Sequence, residues 1–464
     1  MKMPGDETTP TLSEIIAQHV STTQFSSLPE HTLVAAKRLI LDTLAVAWAG
    51  SGSTGIGAVS AALSSSENRI AGANGEKCTL WGTAEQASVQ NAAFINGAAA
   101  AALDYDALHL NALVHSSIVT LPPLLALSEH LHLDGKALLT ALVLADDINC
   151  RLGLSAQGHN GWFFTSIFGV FGTAAACAKL LGLDQAGIAN ALGIALFQVT
   201  GTQQSMIEKK LTKRFMSAFA ARGGVFSAML AQAGVDAPRR PFEGEFGLFR
   251  LYQKCDAEIL LEDLGTRYEN SFISIKKFPS CGCAHALTEA ALLIVERHRI
   301  LPKDIARVTV RISEFMNRLV GGQFNPEQDG PQVTGQFSAQ YAVACVIFRK
   351  RFIVDDIQSA NVMEHEVANF ARSVVIEVDA ENTGQLVPAE VIFEMRSGAK
   401  YIENVARFPG GESGAISKNI LHDKVYDCMR QGPRPLIPEQ IERLINRVEG
   451  LETMSDMADL FKNL

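Results

Sequence analysis

The chain has 464 residues, of which 47% are hydrophobic and 19% are charged, so it is long enough for two or three domains around a large buried core. A formal net charge of −9, without a long basic face, gives no electrostatic support for nucleic-acid binding. No stretch reaches the roughly eighteen uninterrupted apolar residues of a membrane span. Eight irregularly spaced cysteines and a polar N-terminal segment without a signal-peptide core predict a reduced, cytoplasmic protein.

The first half of the chain, residues 13–237, has an almost continuous helical pattern, because apolar side chains recur three and four positions apart. The alanine-rich stretches 98–102 and 172–178 indicate closely packed helices, since small side chains let helix axes approach. The clearest predicted helices in this half are 29–48, 168–181 and 184–199.

Residues 50–55 match the dinucleotide-binding pattern GxGxxG. That pattern binds a pyrophosphate only where a strand precedes the glycines and a helix follows them. Here a predicted helix precedes the glycines, so we interpret the segment as a helix end and a loop. No dinucleotide site is expected at these residues.

The densest cluster of titratable residues directly follows the apolar run 98–103. It contains Asp104, Asp106, His109 and His115, and the next uncharged stretch begins at residue 116. Charged groups between two apolar flanks are expected to be partly buried, and buried charges need partners or a catalytic role. A satisfied polar network between helices is the alternative interpretation.

The pattern changes after about residue 271, where alternating apolar and polar residues predict strands. We therefore predict a mainly α protein with a helical domain of 1–270 plus 409–464, interrupted by an inserted α+β domain of 271–408. The predicted strands are 306–313, 373–380, 389–395 and 400–407, the last two forming a hairpin, and the accompanying helices are 284–299, 336–348 and 438–448.

Two cationic clusters interrupt the apolar background at residues 209–214 and 276–277. The first would ordinarily be a solvated helix face, but Lys213 precedes a run of mostly small and apolar residues that resembles a buried wall. Two such clusters on an acidic protein favour a small anionic substrate. The sequence Cys281-Gly-Cys-Ala-His285 suggests a metal corner, yet no second pair of ligands accompanies it, so no metal site is expected.

Taken together, the motifs resemble the MmgE/PrpD family, which includes 2-methylcitrate dehydratase, cis-aconitate decarboxylase and iminodisuccinate epimerase. The resemblance runs through most of the chain and depends on the order and spacing of many short motifs. They are Leu41-Asp-Thr-Leu-Ala45, Asn96-Gly-Ala98, Asp104-Tyr-Asp106 with His109 and His115, Arg151-Leu-Gly153, Phe171-Gly-Thr-Ala-Ala-Ala176, Leu180-Leu-Gly-Leu183, Leu211-Thr-Lys-Arg214, Phe242-Glu-Gly244, Phe246-Gly247, Lys277-Phe-Pro-Ser-Cys281 with His285, and Gln336-Phe-Ser338 with Tyr341.

The resemblance implies a helical domain that carries both termini, an α+β lid, a homodimer, and a cofactor-free active site in the cleft between the domains. It also assigns residues to roles. The implied catalytic residues are Asp104, His109, His115 and Lys213, and the implied substrate-binding residues are Arg214, Lys276, Lys277, Cys281, His285 and Phe163.

The chain departs from the family pattern at two places. The motif positions that are usually Asp and Thr are Ala107 and Leu108, and the usual His-Pro-Thr is Phe163-Phe-Thr165. A site with fewer proton donors favours the simplest proton transfer. The sequence therefore predicts an epimerase that moves the proton α to a carboxylate of a small dicarboxylate such as iminodisuccinate. The alternatives are a lyase of the same family, acting on a 2-methylcitrate-like or cis-aconitate-like acid, and a catalytically silent anion-binding protein.

Overall fold

The structure is a computed structural model that describes residues 9–70, 77–411 and 416–464, and it omits the side chains of 64–70, 328 and 329. The N-terminal residues 1–7, for which the sequence predicts no signal peptide, lie outside the described residues. Among the helices that are described, none is long and apolar enough to cross a membrane.

The described residues form helices along the whole chain. They are α1 (Leu12–Thr22), α2 (Glu30–Gly50), α3 (Ile56–Ile70), α4 (Val89–Ala101), α5 (Ser117–His130), α6 (Gly135–Ser155), α7 (Phe164–Leu180), α8 (Gln185–Ala195), α9 (Gln204–Ile207), α10 (Met216–Gln232), α11 (Leu248–Leu251), α12 (Ala257–Leu261), α13 (His285–His298), α14 (Glu314–Val320), α15 (Pro326–Asp329), α16 (Pro331–Gln336), α17 (Ala339–Arg349), α18 (Ser359–Val362), α19 (His365–Ser373), α20 (Lys418–Met429) and α21 (Pro438–Glu449).

The strands form two short pairs and one larger sheet. They are β1 (Cys78–Thr79), β2 (Gln86–Ala87), β3 (Leu108–His109), β4 (Ile273–Ser274), β5 (Ile305–Ile312), β6 (Val375–Val378), β7 (Ala389–Met395) and β8 (Lys400–Val405). The larger sheet has the order β6-β5-β7-β8, with β5 and β6 parallel and the other neighbours antiparallel. Its helices α13 and α17 pack beside it, which gives the second half of the chain its α+β character.

Helix α7 lies at the centre of the helical part and packs against α5, α6, α8 and α10. Small residues permit this close packing, as predicted for residues 172–178. A Cβ atom on Gly172 would lie 2.4 Å from the carbonyl oxygen of Ala145, and one on Gly224 would lie 2.5 Å from Thr173. Side chains larger than hydrogen would push these helices apart.

The C-terminal helix α20 returns to pack against α2, and α21 also contacts α2. The indole Nε1 of Trp48 donates a hydrogen bond of 2.7 Å to the carbonyl of Arg434. The fold is therefore mainly helical, with an α+β domain inserted before the chain returns to the helical part. The exact division at residues 270/271 and 408/409 remains a prediction.

The predicted long elements agree with the structure to within a few residues, and residues 50–55 do form a helix end and a loop rather than a nucleotide-binding turn. The pairs β1–β2 and β3–β4 were not predicted. Each of these strands has two residues, which is too short for an alternating pattern to be read.

Candidate active site

The segment from Asp104 to His115 forms an irregular loop between α4 and α5. Asp104 has a φ of +51°, which is a left-handed backbone conformation that an aspartate adopts only at a cost of order 1 kcal/mol. In the middle of the segment, β3 pairs antiparallel with β4, so Leu108 lies opposite Ser274. This pairing joins the segment to the start of the α+β part.

The carboxylate of Asp104 binds two lysines. Lys213 donates one hydrogen bond to Oδ1, while Lys276 lies 3.2 Å from Oδ2 and donates a bond of 2.7 Å to the carbonyl oxygen of Asp104. Burial raises the pKa of Asp104, but the charges of Lys213 and Lys276 outweigh it and hold that pKa well below its ordinary value. Asp104 is thus an anion with two cations beside it.

His115 is held by a second buried carboxylate. Its Nδ1 lies 2.7 Å from Oδ2 of Asp106, and its backbone N–H donates a 3.0 Å hydrogen bond to Oγ1 of Thr165 at the start of α7. Burial raises the pKa of Asp106, yet the charge of His115 and their hydrogen bond lower it overall. Asp106 is therefore an anion that accepts the Nδ1–H, and Nε2 is the ring nitrogen available for proton transfer.

Asp104, His115 and Lys213 line one pocket, a small cavity of about 70 Å³. Most of its other walls are apolar. They are provided by Leu108, Leu113, Phe163, Phe164, Met206, Phe315, Leu319, Phe337 and Leu386, together with the polar or sulfur-containing side chains of His159, Gln203, Cys281 and Cys283. The Nζ atom of Lys213 also lies 5.3 Å from the centre of the Phe337 ring, and its side chain is only 10% exposed.

The predicted residues Cys281 and Phe163 both line this pocket. Cys281 forms a thiol pair with Cys283, whose hydrogen bond lowers the pKa of Cys281 against the opposing effect of burial. The same hydrogen bond, with burial, raises the pKa of Cys283 well above the ordinary range. The thiol of Cys283 donates a 3.5 Å hydrogen bond to the carbonyl of Gln385, and both cysteines are free thiols.

The structure places His109 elsewhere, on the opposite side of β3 from the pocket-lining Leu108. Its Nδ1 accepts a 3.1 Å hydrogen bond from the backbone N–H of Ala112, and its Nε2 lies 3.2 Å from Glu269. Glu269 in turn lies 2.6 Å from Arg267. His109 therefore does not line the pocket of Asp104 and His115, and its catalytic role stays a prediction.

Four predicted substrate-binding residues also lie outside the pocket lining. Lys276 is fully buried behind Asp104, and Lys277 lies 2.8 Å from Glu289. Arg214 is buried and donates to the carbonyl of Thr54 (2.9 Å) and to Gln332 (2.7 Å).

The fourth, His285, is buried between aromatic rings, with its ring centre 4.9 Å from that of Phe408 and 5.5 Å from that of Phe278. Burial and the nearby charge of Lys276 lower its pKa well below the ordinary value, so it is neutral. In the described part of the chain, no group of three or more His, Cys, Asp or Glu side chains is arranged to hold a metal ion.

Several site residues were not assigned from the sequence. Asp106 was recognised as part of the charged cluster, but its pairing with His115 was not. Lys424 is buried, lies 2.6 Å from Asp42 and donates to the carbonyls of Tyr105 (2.8 Å) and Lys276 (3.0 Å). Lys424 thus joins helix α20 to the segments that contain Tyr105 and Lys276. These residues are too far apart in the sequence for a local pattern to reveal the contact.

Family models match most of the chain. Residues 14–258 match the model of the MmgE/PrpD N-terminal domain, and residues 278–447 match that of the MmgE/PrpD C-terminal domain. Among curated proteins, the "cis-aconitate decarboxylase-like protein oryM" of Aspergillus oryzae is 28% identical, over 94% of this chain and 93% of its own length. The cis-aconitate decarboxylases of Aspergillus terreus and Homo sapiens are 26% and 25% identical, over 94% and 97% of this chain and 92% and 93% of their own lengths.

These names contradict the predicted epimerase, since a decarboxylase is a lyase, and they favour the alternative. The prediction was wrong because it depended on a shortage of proton donors after the changes at Leu108 and Phe163. The pocket supplies other groups that hold protons, namely His159 from a neighbouring loop and the thiols of Cys281 and Cys283.

Proposed function

Since this chain belongs to the MmgE/PrpD family, we propose that it is a lyase that decarboxylates cis-aconitate or a closely similar tricarboxylate. The observation that carries the proposal is the pairing of Lys213 with Asp104 beside His115 and Asp106, at one small and mostly apolar pocket. The names of the relatives support the same reaction.

The apolar lining suits a reaction in which a charged group becomes neutral. A carboxylate loses hydration when it enters such a pocket, whereas carbon dioxide has little hydration to lose. In cis-aconitate, breaking the bond between the methylene carbon and its carboxylate releases carbon dioxide. The electron pair spreads over the adjacent double bond to the far carbon, which then takes one proton. A trianion and a proton become carbon dioxide and an unsaturated five-carbon dianion.

The proposed roles follow from this balance of charge. The ammonium group of Lys213 binds a carboxylate that receives the developing negative charge, and Asp104, itself bound by Lys276, holds that ammonium in place. His115 supplies the proton through Nε2, because Asp106 fixes Nδ1–H and stabilises the charged ring. Lys276 acts behind Asp104 and does not itself contact the substrate.

The test is product formation from cis-aconitate, followed by proton NMR and carbon dioxide release, with 2-methylcitrate assayed in parallel. In heavy water the five-carbon product should carry one deuterium. Lys213→Met should lower kcat/KM on the order of 100-fold, because one stabilising cation is lost. The control Lys210→Met, at an exposed position in the same cluster, should behave as the wild type. Dehydration of 2-methylcitrate without decarboxylation of cis-aconitate would contradict the proposal.

We propose in addition that the protein acts as a cytoplasmic homodimer without a cofactor. The two-domain division at residues 270/271 and 408/409 belongs to the same proposal, because the pocket combines Lys213 and His115 from the helical part with Cys281 and Leu386 from the inserted part.

A further inference from the structure

The pocket contains a pair of neutral polar side chains that the reaction described above does not use. His159 and Gln203 both line the pocket, and the amide nitrogen of Gln203 lies 3.2 Å from Nε2 of His159. The sequence singled out neither residue. They stand out because most of the pocket surface is otherwise apolar.

Two loops hold this pair in place. The backbone N–H of Phe163 donates a 3.1 Å hydrogen bond to the carbonyl of Gly201, and the N–H of Gln203 donates one of 2.9 Å to the carbonyl of Gly161. The imidazole of His159 stacks on the Phe164 ring, with 4.6 Å between the ring centres and 22° between the planes. The two polar groups are thus fixed before any ligand binds, which lowers the entropic cost of using them.

The hydrogen bonds also define the chemical form of the pair. The backbone N–H of Gly161 donates to Nδ1 of His159 at 3.3 Å, so the proton of the neutral ring is on Nε2. That Nε2–H can donate only to the amide oxygen of Gln203, which means that the oxygen rather than the nitrogen of this amide faces the ring. The amide NH2 of Gln203 has no other partner among the described residues.

The ring of His159 is neutral as well as oriented. Burial lowers its pKa, and the positive charge of Arg318 lowers it further. The amide NH2 of Gln203, which the neutral ring of His159 orients, donates hydrogen bonds to a carboxylate without adding a charge, which distinguishes it from Lys213 at the other polar part of the pocket.

We propose that the amide of Gln203, oriented by His159 as a positioning residue, forms a second carboxylate subsite, which binds a carboxylate that the substrate keeps, while Lys213 binds another. This inference rests on the proposed function for the identity of the substrate, but the subsite itself concerns any short unsaturated diacid. The third carboxylate then occupies the apolar part of the pocket, where its loss as carbon dioxide is favoured.

The test measures binding separately from turnover. Citraconate retains both carboxylates that cis-aconitate keeps and lacks the one that leaves, so its dissociation constant can be measured by calorimetry without reaction. His159→Phe, which preserves the stacking on Phe164, and Gln203→Leu should each weaken citraconate and cis-aconitate roughly 10- to 100-fold. Gln203→Glu, of equal size, should weaken them at least as much because like charges repel.

Matched controls are Gln204→Leu and His365→Phe, at exposed positions outside the pocket lining, and both should bind as the wild type. With cis-aconitate as substrate, the two subsite variants should raise KM and change kcat less than about threefold, since the retained carboxylate is bound equally in the ground state and the transition state. Thermal unfolding midpoints close to that of the wild type establish that the variants are folded.

The subsite is overturned if the affinity for citraconate is unchanged in the folded variants. It is also overturned if kcat falls while KM stays constant, because that outcome indicates proton transfer by His159. A wild type that does not bind citraconate overturns it too. A wild type that binds citraconate but leaves cis-aconitate unconverted overturns the proposed function alone, and the binding data then decide on the subsite.

Discussion

The carboxylate of Asp106 determines which nitrogen of His115 can exchange a proton with a substrate. Replacing it by Asn presents either a neutral acceptor or a donor to Nδ1, so the ring loses the charge that stabilises its protonated form. We expect Asp106→Asn to lower kcat on the order of 100-fold with a small change in KM. The exposed Asp423→Asn is the control, and kinetics with cis-aconitate is the measurement. A kcat within threefold of the wild type would contradict the assigned pairing.

Glu129 illustrates a carboxyl group whose burial affects stability rather than chemistry. It accepts hydrogen bonds from the hydroxyl (2.7 Å) and the backbone N–H (3.1 Å) of Thr79, and burial raises its pKa from 4.5 to about 7. A raised pKa means that the fold favours the protonated form. Its contribution to stability is therefore complete below pH 4.5 and disappears as the pH rises through 7.

We accordingly expect the free energy of unfolding of the wild type to fall by about 2 kcal/mol between pH 5 and pH 8, relative to that of Glu129→Gln, which cannot ionise. The measurement is the free energy of unfolding in urea at both pH values for the two proteins. Parallel pH dependences would show that Glu129 is ionised in the folded state without penalty.

Several residues that the sequence assigned to the site from separate motifs lie around one pocket, although their roles stay predictions. Asp104, His115, Lys213, Cys281 and Phe163 all line the same pocket. His109 belongs to the same motif as Asp104 and yet faces away, because neighbouring residues of a strand point to opposite sides. His159 was not predicted for a related reason, since its place in the pocket depends on the contact between two loops rather than on any local pattern.

At the scale of elements, helix packing depends on a few positions that have no side chain. A Cβ atom on Gly50, at the end of α2, would lie 2.1 Å from the carbonyl oxygen of Ala99 in α4. Because the obstacle is backbone, we expect Gly50→Ala to destabilise the protein by more than about 2 kcal/mol. Gly57→Ala in α3, with nothing within 4 Å of the added atom, is the control and should be neutral or slightly stabilising. Chemical denaturation of both variants is the measurement, and equal midpoints would contradict the packing argument.

The elements that could be predicted are the long ones, in which the pattern of apolar and polar residues repeats several times. The pattern of 389–395 and 400–407 predicted the hairpin of β7 and β8, which the structure shows with Glu394 opposite Lys400. By contrast, residues 211–215 around Lys213 form a short 3₁₀ helix that the charge pattern did not indicate. Its geometry follows from packing against α4 and α10, which only the folded chain provides.

At the scale of the whole molecule, a group of exposed apolar side chains lies along α10 and its neighbours. Phe219 is 51% exposed and Phe197 is 71% exposed, and the close approach of Gly223 to Gln198 brings their segments together. Surfaces of this kind commonly mark interfaces. We expect light scattering to give twice the mass of one chain, 50.0 kDa, and Phe219→Asp to give single chains. The control Ile402→Asp, 54% exposed on β8, should leave the mass unchanged. A wild type of single mass would contradict the homodimer.

The return of the C-terminal segment to α2 also affects how the protein folds during synthesis. Trp48 and Arg434 are 386 residues apart, and the ion pair between Lys37 and Glu452 (2.5 Å) closes a loop of similar length. Such contacts give a high contact order, which slows folding. On the ribosome the part of α2 that packs against α20 and α21 stays uncovered until those two helices have emerged, which leaves an apolar surface of the nascent protein exposed to aggregation until then.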